Sequence, residues 1–206
     1  MALKIYGVAR SRAFRALWMA KELGLDYEHV KVDFATGETR TPEHLALNPN
    51  GHVPVIDDDG FILWESMAIN LYLAKRYGAG GLYPSRLEDE ARAWQWSFWG
   101  MTELERPVLT ALFNRAILPE SQRDAAAADA AEKTLAQPFG VLEGVLGGSA
   151  YLLGGQFTVA DLDVASILAW ARPAQIDFSA VPKVAGWLKV CAERPAARAA
   201  RQLQRE

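Results

Sequence analysis

The sequence predicts an α/β domain of βαβ-αββα order followed by an all-helical domain. Three observations carry this expectation. Short strand-like runs alternate with helical runs over the first eighty residues. The glycine-rich stretch Gly78-Ala79-Gly80-Gly81-Leu82-Tyr83-Pro84 then breaks the alternation and reads as a linker. Beyond it helical spacing persists and no convincing strand follows. A chain of 206 residues, half of them apolar, suits one large or two small domains with a sizeable core. The expected boundaries are 1–80 and 86–206.

Met1-Ala2 leads directly into a buried strand, Leu3 to Val8. Ser11 to Leu23 reads as a helix, with Phe14, Leu17 and Trp18 at helical spacing and Gly24 as its stop. Tyr27 to Val32 alternates as a strand. Pro42 to Leu47 is a short helix with proline early, where its missing N–H is tolerated. Val53 to Asp57 and Phe61 to Trp64 flank Asp58-Asp59-Gly60, a hairpin signal. Ser66 to Tyr77 is a helix with Ile69, Leu73 and Tyr77 four residues apart. This order implies a parallel pair with a helical crossover, then an antiparallel hairpin, which is the thioredoxin-like arrangement.

In the second half, Leu87, Ala91, Trp94, Phe98, Met101 and Glu105 step by three and four, the mark of a long helix. The alanine-rich Ala125 to Ala131 suits another helix. Leu135, Phe139, Leu142 and Leu146 form a stripe that continues past Pro138, where a bend is expected. Thr158-Val159-Ala160-Asp161 starts a helix, the threonine capping and the aspartate reaching back. Val181-Pro182 to Arg194 is a further helix, stopped by Pro195.

A formal charge of −3 gives no case for nucleic acid, and the arginines between Arg194 and Arg205 read as the polar face of a last helix. The single cysteine, Cys191, excludes an internal disulfide and fits a reducing compartment. No apolar leader stands at the N-terminus, and no run approaches the roughly 18 apolar residues of a membrane span. A cytoplasmic protein without membrane attachment is expected.

Asn48-Pro49-Asn50-Gly51-His52-Val53-Pro54-Val55, followed by Glu65-Ser66, is the segment richest in chemistry. Proline cannot donate to a sheet, so Pro54 belongs at a strand start or edge. A cis Val53-Pro54 bond would turn the Val53 N–H and C=O outward to pair with an extended peptide. Ser66, at the start of a helix, offers a hydroxyl and free N–H groups to an anion.

These motifs, in this order, resemble the glutathione-binding half of the soluble glutathione S-transferase family, and the resemblance covers nearly the whole chain. The run Ser11-Arg12-Ala13-Phe14-Arg15-Ala16-Leu17 is similar to the serine-type branch, theta/phi-like, in a bacterial member. The resemblance implies a glutathione transferase with glutathione as co-substrate, no metal, a small-molecule electrophile, a homodimer and a detoxifying role. It assigns thiolate stabilisation to Ser11. It assigns the cysteinyl unit to the backbone of Val53, held by Pro54, the γ-glutamyl end to Glu65 and Ser66, and the glycyl end to His52 and Arg40. Phi-like members commonly carry a histidine beside that arginine, where this chain has Thr39. In the family the Phe157–Asp161 segment is structural. The physical task is clear: a thiol of pKa near 8.5 is only about 3% thiolate at neutral pH, and lowering its pKa by about two units takes roughly 2.7 kcal/mol of differential stabilisation. A hydroxyl donor and a helix N-terminus can supply this.

Alternatives stand beside these roles. Ser11 is otherwise a helix cap. Tyr6 is the rival thiol donor, or a core aromatic. Arg12 and Arg15 add positive potential near the thiolate, or Arg15 forms a structural ion pair. His52 is otherwise an exposed loop residue. Trp94, Phe98 and Met101 line an electrophile pocket or belong to the core. Cys191 reads as a small core residue, and no cysteine stands where cysteine-type members have theirs. The maleylacetoacetate isomerase signature is absent at Ala9-Arg10-Ser11-Arg12. A glutathione-dependent reductase or dehalogenase remains open, as does a non-catalytic ligand carrier or regulatory protein. Intact Val53-Pro54 and Glu65-Ser66 favour the enzyme.

Overall fold

The computed structural model describes residues 3–205; Met1 and Ala2 lie outside them. The chain forms two compact units, one running to Tyr83 and resuming at Glu193, the other spanning Pro84–Ala192. The last stretch therefore departs from the expected helical domain of 86–206.

The first unit contains β1 (Leu3–Tyr6), α1 (Ala13–Glu22), β2 (Tyr27–Val30), α2 (Pro42–Leu47), β3 (Val55–Asp58), β4 (Phe61–Trp64) and α3 (Ser66–Tyr77), in the expected order. The sheet runs β2-β1-β3-β4, with β1 parallel to β2 and the other neighbours antiparallel. Strand β1 alternates, Leu3 and Ile5 buried, Lys4 and Tyr6 half-buried. It is shorter than Leu3 to Val8 because Gly7 turns the chain at φ +123, although the Gly7 and Val8 amides still donate to the Val30 and Val32 carbonyls. Strand β3 begins at Val55 rather than Val53, since Pro54 has no N–H to give to a ladder; the Val53-Pro54 bond is cis. Helix α1 packs against α3. Leu3, Ile5, Phe14, Leu17, Val55, Ile56, Ile69 and Leu73 form the buried core, each contributing about 1.5–3 kcal/mol of transfer free energy.

Local chemistry sets the element ends. Gly24, at φ +63, closes α1 while the amides of Gly24 and Leu25 take the Lys21 and Ala20 carbonyls, a Schellman arrangement. Thr41 Oγ1 accepts from the His44 amide at the start of α2. The β3–β4 hairpin turns on Asp59 (φ 52) and Gly60 (φ 92), which match a primed two-residue turn. Asp58, expected in that turn, lies in β3 instead. Its buried carboxylate accepts from Tyr72 Oη and Tyr77 Oη, each at 2.8 Å, and faces Arg76 Nε at 3.3 Å, tying the hairpin to α3.

Helix α10 (Pro195–Gln202) rejoins this unit by packing on α1. Its small buried residues Ala197 and Ala200 permit close approach. Arg194 grips the half-buried Glu22 with Nε and Nη2 at 2.6 and 2.7 Å, and Trp18 Nε1 donates to the same carboxylate at 2.9 Å. Gln204 Nε2 reaches the Ala9 carbonyl.

The second unit holds α4 (Leu87–Trp99), α5 (Arg106–Leu112), α6 (Ala125–Thr134), α7 (Ala136–Gly148), α8 (Val159–Leu168) and most of α9 (Pro182–Glu193). Wider π-type turns at Gly100–Glu105 and Phe113–Ile117 carry the helical path past α4 and α5. Of the α4 stripe read as pocket lining or core, Trp94 is 41% and Phe98 64% exposed, so these two are not core. The buried face is Ala93, Trp96, Ser97, Gly100 and Leu104, which has the same helical spacing. Ser97 Oγ sits 2.6 Å from Asp163 Oδ2 on α8. Pro138 does not bend a helix. The break falls at Leu135, between α6 and α7, and leaves Pro138 in the first turn of α7. Leu135, Phe139, Leu142 and Leu146 stay on one buried stripe. Helix α8 starts on the expected capping box. There Asp161 accepts from the amides of Leu152 and Thr158 and from Trp187 Nε1, while burial pushes its carboxyl above the ordinary range. Cys191 is buried, as expected of a core residue.

Candidate active site

Every expected glutathione contact belongs to the first unit. Gly7 is the pivot. A Cβ placed there would come within 2.8 Å of both Ala13 Cβ and Val53 Cβ, so the Val53 loop lies directly against the start of α1. Ser11 stands two residues before that helix. Its Oγ donates to the Val8 carbonyl at 2.7 Å and accepts from the Ala13 amide at 3.1 Å. The hydroxyl therefore caps α1, but from one position before the helix's flanking residue, Arg12. Tyr6 is the last residue of β1 rather than a mid-strand residue, and half-buried.

Neither backbone group of Val53 has a hydrogen-bond partner among the described residues. The loop before it is held from its other side. His44 Nε2 lies 2.9 Å and Asn48 Nδ2 3.0 Å from the His52 carbonyl, and Asn48 Oδ1 accepts from the amide and side chain of Asn50. Arg40 Nη1 donates to the Asn50 carbonyl at 3.2 Å, with its guanidinium against Gly51, whose φ is +63. The His52 side chain is exposed, so its backbone rather than its ring is engaged.

At the start of α3, Glu65 adopts φ 73, a left-handed conformation uncommon for a residue with a side chain. Its exposed carboxylate makes no hydrogen bond or ion pair among the described residues. The first intrahelical bond runs from the Ile69 amide to the Glu65 carbonyl, which leaves the preceding first-turn amides directed out of the helix. Arg15, fully buried on α1, donates from Nη1 to Ser66 Oγ at 3.1 Å. Ser66 thus accepts from a cation and keeps its own proton to give. A hydroxyl, free amides and a buried guanidinium together favour an anion at this helix end.

The fold thus gathers Ser11, Val53, Pro54 and Ser66 around the junction of α1, the Val53 loop and α3, with Glu65 beside them and Arg40 on the preceding loop. Sequence reasoning gave no role to Gly7, His44 or Asn48. The signals were a glycine closing a strand, and a histidine and an asparagine four residues apart before Val53.

The family model described as "Glutathione S-transferase, N-terminal domain" matches residues 1–75, and that of the corresponding C-terminal domain matches residues 105–195. The chain is 35% identical to glutathione S-transferase 3 of Zea mays over 94% of its length and 90% of that protein's. It is 32% identical to glutathione S-transferase GstB of Escherichia coli K12 over 89% of each. Among solved structures it is similar to the theta class glutathione S-transferase of Xanthomonas axonopodis pv. citri with glutathione bound, with 31% identity, a TM-score of 0.90 and 96% of each chain covered. A further structure, glutathione S-transferase-I bound with lactoylglutathione, matches at 30% identity and a TM-score of 0.89, over 98% of this chain and 99% of that one.

Proposed function

Because the chain belongs to the glutathione S-transferase family, we propose that it joins the thiolate of glutathione to an apolar electrophile, with Ser11 as the residue that stabilises the thiolate. The observation that carries this reading is the convergence of Ser11, the outward backbone of Val53 and the cation-backed start of α3. The carboxylate of the γ-glutamyl end meets Ser66 Oγ and the free α3 amides, while Glu65 takes the amine. The cysteinyl backbone pairs with Val53, which directs the thiol toward Ser11. His52 lies on the Val53 loop, and Arg40, from the segment before α2, rests its guanidinium on that loop at Asn50 and Gly51, where the glycyl carboxylate would be met.

Ser11 has one proton, now given to the Val8 carbonyl. Rotation of the hydroxyl about its Cβ–Oγ bond redirects that proton to the sulfur while Oγ stays on the Ala13 amide. Donation from the Ala13 amide into Oγ polarises the O–H and makes it a better donor. Attack then forms the sulfur–carbon bond as the electrophile's leaving group departs with its electron pair.

The same reading includes a homodimer. Phe61, 48% exposed, and Trp64, 37% exposed, stand on the edge strand β4, where apolar surface favours a partner; sedimentation velocity reads this directly. A reducing cytoplasmic location accords with a sequence that holds a single cysteine, Cys191, and fractionation of cells tests it.

The test of the chemistry is an ultraviolet difference titration of the thiolate band of bound glutathione. The expected result is a depressed thiol pKa in the wild type. S11A should still bind and should return the thiol toward its ordinary value near 8.5. If the wild type does not bind glutathione, the transferase reading fails; if S11A keeps the depression, another group activates the thiol.

A further inference from the structure

We infer that His44 is a positioning residue of the glutathione site, acting through the 52–53 peptide group. The inference rests on the reading of Val53 as the cysteinyl contact. A trans peptide is planar, with its C=O and N–H pointing in opposite directions. Two donors, His44 Nε2 at 2.9 Å and Asn48 Nδ2 at 3.0 Å, fix the His52 carbonyl on the inner side of the loop. The Val53 N–H of the same peptide is thereby aimed outward, where no group among the described residues takes it. A carbonyl only accepts, so His44 must carry its ring proton on Nε2. Consistently, His44 Nδ1 is buried and has no hydrogen-bond partner among the described residues. His44 and Asn48 are themselves buried and sit on and just after α2, a firmer support than the loop they hold. Donation into the carbonyl also polarises the peptide and makes the N–H a stronger donor. The position therefore needs a donor of this reach, beyond a side chain of this volume.

The experiment compares glutathione affinity by calorimetry, and steady-state kinetics with an activated aryl chloride, in the wild type, H44F and H44Q. H44F keeps a ring of similar size without a donor, whereas H44Q places an amide donor near the Nε2 position. We expect glutathione to bind about five- to tenfold more weakly to H44F and within about twofold of wild type to H44Q. The KM for glutathione should follow the affinity, with kcat at saturating glutathione and the KM for the aryl chloride nearly unchanged. H44F binding as tightly as the wild type overturns the inference. So does equal weakening in H44F and H44Q, which would make the role one of packing. A wild type that fails to bind glutathione removes the underlying reading instead. Should H44F not fold, nitrogen-15 spectra of the wild-type imidazole decide: a proton on Nε2 is expected, and an Nε2 without a proton overturns the inference.

Discussion

Gly7 shows how much one missing side chain positions. At φ +123 it holds a backbone conformation that side chains rarely adopt, and two Cβ atoms on separate elements close over it. Neither neighbour is the flexible end of a side chain, so neither can swing away. G7A should lose about 2–4 kcal/mol in urea denaturation, from backbone strain and overpacking together, and should weaken glutathione binding by displacing Val53. A loss below about 0.5 kcal/mol, the range of an innocuous surface change, would mean that the loop yields freely. Pro54 and Ser66 were legible in the sequence because their chemistry is local: a missing N–H, and a hydroxyl before a helical stripe. Gly7, His44 and Arg15 took their roles from contacts made across 46, 8 and 51 residues, which spacing alone does not display.

Elements whose ends are set by short-range chemistry fell where the sequence put them. Helices α2 and α3 and strand β4 match their expected bounds. Helix α4 differed because it carries two apolar stripes, and only packing against α8 decides which is buried. The Asp58 cluster is another tertiary feature, joining β3 to the last turns of α3. Burial first, and donation to Asp58 second, raise the hydroxyls of Tyr72 and Tyr77 above the ordinary tyrosine value. The folded chain thus holds these two protons more tightly than the unfolded chain. Their contribution is complete below about pH 10 and is lost as pH climbs through the raised values. Y72F/Y77F should be less stable than the wild type near neutral pH, and the gap in denaturant midpoint should narrow at strongly alkaline pH. A gap that stays constant with pH would detach these tyrosines from the alkaline transition.

The whole molecule departs most from the sequence reading at its end. Helical spacing assigned residues 86–206 to one domain, but α10 completes the first unit through Ala197, Ala200 and the Arg194–Glu22 pair. Spacing identifies a helix without saying which surface it covers. Residues 3–83 alone should therefore lack cooperative unfolding by circular dichroism, and adding a peptide of residues 193–206 should restore it. Cooperative, native-like unfolding of residues 3–83 without the peptide would show that α10 is dispensable. The chain's direction of synthesis gives the arrangement a cost in time. The face of α1 that meets α10 leaves the ribosome early, and its cover follows only after the roughly one hundred residues of the other unit, a delay on the order of ten seconds at ordinary elongation rates. During that interval the α1 face stays open to solvent, and a chain that ends between α1 and α10 never covers it.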